Sequence, residues 1–208
     1  MSKIIVDVAM SLDGFMAGDN RGPQNPLGDG GIAIHEWMFK QKGFYRSHGM
    51  EAPSEGLEDG ADGKLIEDIM ARTGAYIMGK RMFEEGEANW PEDLFKKDVF
   101  VLTNAVREPW VQNGSTTFYF INDGIESALE KASKSANGKD IRIQGGGDTI
   151  QQFLNAGLVD EFTLHISPVF LGSGIRLFDK MDKEKYKFEI VDVTPSQLTT
   201  HIQYRVIK

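Results

Sequence analysis

"IRIQGGGDTIQQFL", Ile141 to Leu154, sets three consecutive glycines between an apolar, strand-like run and an amphipathic, helix-like one. Glycine loses more backbone freedom on ordering than any other residue, so Gly145, Gly146 and Gly147 are costly in either element. Two readings of the run are open. It can be a tight strand-to-helix turn with nothing bound. Alternatively, it presents bare amides and a helix N-terminus to an anion, at a place where a Cβ would keep a phosphate off the backbone. The run matches neither G-x-G-x-x-G, whose sixth position here is Ile150, nor a P-loop. Asp148 and Thr149 follow the glycines, and Ile150, Phe153 and Leu154 recur at the spacing of a helix's inner face.

Upstream, "YIMGKRMFE" has the same build, now with Lys80 and Arg81 directly after Gly79. These cations read either as solvated surface charges or as contacts to a second phosphate. "DVFVLTN" ends a further strand on Thr103 and Asn104, with Arg107 three residues on. "KIIVDVAM" and "TTFYFI" also read as strands. Leu65, Ile66, Ile69 and Met70 recur at helical spacing, with Gly74 as the expected stop. Asp123 is placed to cap another helix. Strands alternating with helices imply an α/β fold with a mostly parallel, doubly wound sheet. The tail, "YKFEIVDV" and "LTTHIQYRVI", adds a C-terminal antiparallel hairpin. In such sheets ligands sit beyond the carboxyl ends of the strands, which four segments reach: 9–17, 79–82, 103–107 and 145–150.

The chain has 208 residues, 40% hydrophobic and 26% charged, which is ordinary for a soluble globule. Its net charge of −8 argues against nucleic acid and anionic membranes as partners. With no cysteine there are no disulfides, thiolate metal sites or thiol nucleophile. No His/Asp/Glu set has ligand spacing, so no metal is expected. The first twenty residues do not read as a signal peptide and no apolar run reaches membrane-spanning length, so the cytoplasm is the default location. One domain over 1–208 is expected, with 18–62 as a loop-rich inserted segment that is helical only over 35–46.

At this point the chain resembles a family. "VAMSLDGFMA", "YIMGKRMFEEG", "DVFVLTN", "IRIQGGGDTIQQFL" and "LVDEFTLHISPVFLGSGIRLF" occur in the order seen in the dihydrofolate reductase-like fold. The chain is most similar there to the reductase domain of the riboflavin-biosynthesis deaminase/reductase and its stand-alone relatives. The resemblance covers most of the chain apart from about 18–62. It implies an oxidoreductase using NADPH. Gly79, Lys80, Arg81 and Met82 would meet the cofactor phosphates, and Thr103 and Asn104 the adenosine 2′-phosphate. Gly145 to Ile150 would lie under the pyrophosphate and nicotinamide, with Ala9 and Met16 lining the nicotinamide pocket. Lys80, Met82, Asp148 and Gln144 depart from the family's usual residues at their positions.

Hydride transfer leaves the protein to orient the substrate and supply one proton. Asp13 is the leading catalytic candidate for that, against a plain turn role in "LDG". Glu36, with His35 beside it, Trp37 and Arg176 are candidate substrate contacts, and Arg21 or Arg46 could join Arg176 at a substrate phosphate. Trp37, Phe39, Phe44 and Tyr45 read as a lid or as a satellite core. The expected activity is reduction of a pyrimidine- or pterin-like small molecule, most specifically the phosphoribosylaminouracil intermediate of riboflavin synthesis. The alternative is a non-catalytic dinucleotide-binding sensor or oligomeric module. A homodimer is expected, because a terminal hairpin exposes an edge strand that needs cover.

Overall fold

Apolar runs too continuous for a half-exposed strand, such as "IIVDVAM", belong in a parallel sheet covered on both faces. The computed structural model describes residues 2–182, 184 and 186–207. In chain order the elements begin with β1 (Ile4–Ser11), β2 (Phe15–Ala17), α1 (Ile32–Phe39), α2 (Lys42–His48) and α3 (Ala61–Arg72). Then come β3 (Thr73–Gly79), α4 (Lys80–Gly86), β4 (Val99–Leu102), β5 (Trp110–Val111), β6 (Thr117–Ile121) and α5 (Ile125–Ser135). The last are β7 (Asp140–Gly145), α6 (Gly147–Asn155), β8 (Glu161–Ser167), β9 (Ile175–Arg176), β10 (Lys187–Pro195) and β11 (Thr200–Ile207).

Nine strands form one sheet of order β10-β11-β8-β1-β7-β3-β4-β6-β5, and β2 pairs with β9. The six strands from β8 to β6 run parallel, and β11, β10 and β5 are antiparallel to their neighbours. The expected doubly wound sheet and closing hairpin are both present. Alternate residues of β3 show why both faces are apolar. Ala75 and Ile77 join the core under α5 and α6, with Ile143, Ile150 and Phe153. Tyr76 and Met78 join the other, with Trp37, Ile66, Met70 and Phe83. Each fully buried Ile or Phe adds about 1.5–3 kcal/mol of transfer free energy.

Three local expectations are corrected. Gly74 does not stop a left-handed helix end: α3 passes into β3 at Thr73, in extended conformation. A Cβ on Gly74 would lie 2.4 Å from Ala136 O, so the glycine serves the close approach of β3 to the end of α5. Asp123 does not cap α5, whose N-cap is Gly124 at φ 104°. The helix expected over 35–46 is two helices, broken where Gln41 takes φ −102° and ψ 128°. There the backbone pairs with Glu58 on both sides, and a Cβ on Gly43 would lie 2.3 Å from Gly63 O, so the glycine permits the close approach of α2 to α3. No helix among the described residues is long and apolar enough to cross a membrane.

Candidate active site

Because β3, β4 and β7 run parallel, the segments that follow them emerge at one edge of the sheet. They enclose a cleft of about 340 Å³ lined by 79–82, Thr103, Asn104 and 146–149. Three of the four strand ends named from the sequence thus share one surface, while no residue of 9–17 lines it. The two glycine junctions also pack on each other, since a Cβ on Gly79 would stand 2.4 Å from Thr149 Oγ1.

The three glycines differ in what they are for. Gly145 sits at φ +135°, where an L side chain is strained. A Cβ on Gly147 would press on Ile175 Cγ2 at 3.2 Å. Gly146 has φ −70° and ψ −171°, extended backbone open to any residue, and an added Cβ would meet nothing within 4 Å. The Gly145–Gly146 peptide is cis. Folding therefore explains Gly145 and Gly147 by conformation and packing, whereas Gly146 leaves bare backbone facing open space in the cleft wall. The first turn of α6 adds N–H groups with no partner four residues back.

Charge around the cleft is balanced at close range. Lys80 pairs with Glu84 at 3.0 Å and Asp148 with Lys180 at 2.8 Å. Asp148 is 78% exposed at the rim, so its carboxylate is drawn toward a cation in solvent. Arg81 is 71% exposed and within 3.8 Å of the buried Glu85. Arg21 arrives from the inserted segment, lines the cleft and binds the other oxygen of Glu85. Its place is here, with the expected cofactor segments. Arg107 is not a cleft residue: Glu87 holds its guanidinium, which lies over the rings of Phe83 and Phe120.

Several candidates lie elsewhere. Ile150 is fully buried in the core beneath α6. Ala9 is buried on β1 beside its register partner His165, and Met16 is half-buried, reaching the Gly147 side of the loop. Trp37 is no lid: it is 4% exposed and packs on His165 and His201. Glu36 is exposed on α1 and faces Lys40. Arg176 is exposed on β9 with its guanidinium 4.3 Å from the Phe15 ring centre, and Arg46 is held by Asp59 and Glu67.

Asp13, the candidate for holding the substrate or relaying a proton, is tied into the β1–β2 turn. Its Oδ1 accepts from Ser11 Oγ (2.6 Å) and Leu171 N (3.2 Å), and its Oδ2 from Gly172 N (2.7 Å). The Ser11 hydroxyl, then the two amides, lower its pKa to about 2, so it is ionised at neutral pH and ties the β1–β2 turn to the 171–172 loop. Asp13→Asn should leave the pH profile of any turnover unchanged between about pH 5 and 8. A profile that loses a limb in this variant would return Asp13 to the chemistry.

Sequence reading missed a buried polar chain beneath α1. It runs from Arg142 to Asp7, His165, His201 and Asp62. Its sequence signal was slight: Asp7 is the one polar residue in "IIVDVAM", whereas His165 in "FTLHIS" and His201 in "THIQY" stand among other polar residues.

Comparison with known proteins places the chain in a class. Residues 2–202 match the model of the RibD C-terminal domain, and the chain belongs to that family. Among individual relatives, it is 30% identical over 180 residues to the uncharacterized protein YyaP of Bacillus subtilis (strain 168), covering 85% of this chain and 80% of YyaP. A crystal structure from Shewanella sp. PV-4, named provisionally as a riboflavin biosynthesis protein, superposes with a TM-score of 0.63 at 23% identity over all of both chains. Enterococcus faecalis dihydrofolate reductase, complexed with NADP(H), superposes with a TM-score of 0.58 at 13% identity, covering 99% of this chain and 97% of that one. The fold is dihydrofolate reductase-like.

Proposed function

We propose that the chain is an NADPH-dependent reductase of a small pyrimidine- or pterin-like molecule. The observation that carries this is Gly146: bare backbone, not required by the fold, facing a cleft formed by the strand ends of a RibD C-terminal domain. When bound, NADPH supplies a hydride from its nicotinamide. The amides of the glycine loop and the start of α6 would hold its pyrophosphate. Lys80, Arg81 and Arg21 would offset phosphate charge, with Thr103 and Asn104 beside the adenosine 2′-phosphate. The loop that Asp13 ties down, together with Met16, would close the nicotinamide end and exclude water. 5-Amino-6-(5-phosphoribosylamino)uracil is the substrate we would test first, in keeping with the provisional name of the Shewanella protein.

NADPH should bind more tightly than NADH by roughly tenfold to a hundredfold, the value of one charge-assisted phosphate contact at about 1.5–3 kcal/mol. Calorimetric titration of both cofactors checks this; equal affinities would contradict it. Substrate-dependent loss of NADPH absorbance is then the test of turnover. A second reading, a dinucleotide-binding module without turnover, is favoured by the packing of Trp37 over the β1–β8 surface next to Ala9. Tight NADPH binding with no oxidation against a panel of pyrimidines and pterins would select it.

We further propose a homodimer. Phe188, Ile190, Val191 and Val193 on the edge strand β10 are 41–60% exposed, an apolar edge that in solution calls for cover. Light scattering should give twice the chain mass at micromolar concentration; a monomer would overturn the assignment.

A further inference from the structure

Away from the cleft, the four imidazole nitrogens of His165 and His201 each face a single neighbour. His165 Nε2 lies 3.2 Å from Asp7 Oδ2, and His201 Nε2 lies 3.2 Å from Asp62 Oδ1. The two Nδ1 atoms face each other at 2.6 Å. Asp7 Oδ1 accepts from Arg142 Nη2 at 2.5 Å. Both histidines and both aspartates are less than a tenth exposed, and the Trp37 ring covers the pair with centroids 4.8 and 4.9 Å away.

Proton positions follow from these contacts. Two Nδ1 atoms at 2.6 Å need one hydrogen between them, since none leaves lone pairs opposed and two leaves hydrogens opposed. Each Nε2 also needs a hydrogen, or an unprotonated nitrogen would stand 3.2 Å from a buried carboxylate. The His165–Asp7 contact is off the line of a good hydrogen bond and acts as an ionic one. Two rings therefore hold three protons, one more than two neutral imidazoles, and carry a single positive charge. With Arg142 positive and both aspartates negative, the buried set sums to zero, the condition under which burial is tolerated.

The members come from two parts of the chain. Asp7, Arg142, His165 and His201 stand on β1, β7, β8 and β11 of the sheet. Asp62 begins α3 and Trp37 lies on α1, both in the inserted segment; Ser167 Oγ on β8 also donates to Ile34 O of α1 at 2.7 Å. We propose that His165 and His201 are positioning residues that share one proton, forming a clasp that fastens the inserted segment to the sheet and closes only in this singly charged state.

A fourth proton would set two N–H groups head to head and force the rings apart, and loss of the shared proton would oppose two lone pairs. Burial and the His165 charge both push His201 down, against the pull of Asp62. The other titratable groups around the set are His35 on α1, pushed down to about 4 by burial and by His165, Tyr76 on β3, raised by burial, and His48 on α2, lowered by burial. With the segment open, the pair is free to take up a fourth proton in acid, whereas the closed pair holds three. His201, held down in the closed state, contributes stability that is complete above the ordinary imidazole value and lost as pH falls. The shared proton contributes the opposite slope, and its share is lost as pH rises. Each pH unit below about 6 thus favours opening tenfold through the pair, and His35 adds a further tenfold if the same opening exposes it.

The test is nitrogen-detected NMR of the imidazoles together with amide hydrogen exchange on the full chain. Near pH 7.5 the pair should show three nitrogen-bound protons, one of them on the facing Nδ1 atoms. The α1 and α3 amides should lose protection on acidification before the central strands do, and His201→Gln should flatten that slope by tenfold per pH unit. Two protons on the pair at neutral pH, or an unchanged slope in the variant, would overturn the proposal. The proton count on the wild-type chain decides the matter even if His201→Gln does not fold.

Discussion

Gly146→Val is expected to abolish NADPH binding while leaving the melting temperature close to that of the wild type. The φ of −70° and ψ of −171° suit a β-branched residue, and the new Cβ meets no atom within 4 Å. The side chain therefore fills only the space from which a pyrophosphate would reach the backbone. Losing two or more charge-assisted amide contacts, at about 1.5–3 kcal/mol each, weakens binding by at least a hundredfold. Gly145→Val is the contrasting case. At φ +135° it costs roughly 1–3 kcal/mol of stability whether or not a ligand binds there. A thermal melt paired with NADPH titration of each variant separates the two roles. Normal affinity in folded Gly146→Val would leave the loop as a turn and nothing more.

Arg142→Met should be the most destabilising of the substitutions considered. It leaves the Asp7 carboxylate, 7% exposed, without its guanidinium. Removing one partner of a buried pair costs about 3–5 kcal/mol. For a chain of this size that lowers the melting temperature by roughly 6–20 °C. The pH dependence identifies the cause. Burial works to raise the Asp7 pKa, but Arg142 and then His165 overcome it and hold the carboxyl below its ordinary range. That stabilisation is complete above the ordinary carboxylate pKa of about 3.9 and fades as pH falls toward the folded-state value. In the variant the lowering influence of Arg142 is gone, so Asp7 takes up a proton at higher pH and its buried charge disappears. The gap between variant and wild type should therefore narrow on acidification, as read from denaturant titrations at several pH values. A gap independent of pH would assign the loss to packing of the Arg142 stem.

The framework was legible where one local pattern sufficed. "IRIQGGGDTIQQFL" and "YIMGKRMFE" each state strand, glycine and helix within a dozen residues, and parallel pairing then brings their ends together without further information. Ile150 shows the limit of reading by adjacency. It follows the glycines closely, yet its spacing with Phe153 and Leu154 puts it on the buried face of α6. Trp37 and Ala9 depended on which face of β1 and β8 the inserted segment covers, and 18–62 has too little periodicity to show that. The Asp7–His165–His201–Asp62 chain was hidden for a different reason. Each member lies in a different segment, and only the order β11-β8-β1 makes neighbours of residues 7, 165 and 201. Two of the three partners of Asp13, the amides of Leu171 and Gly172, lie some three-quarters of the chain away and so were not legible in "SLDG".

The central claim is that the cleft between the glycine loop and the ends of β3 and β4 holds NADPH. The most direct measurement is an NADPH titration of the ¹⁵N-labelled chain, following backbone amide signals. The account predicts saturable shifts at Gly146, Gly147, Gly79, Thr103 and Asn104, with the amides of β10 and β11 unmoved. Saturable shifts that leave Gly146 and Gly147 in place, or no shifts at millimolar NADPH, would contradict it.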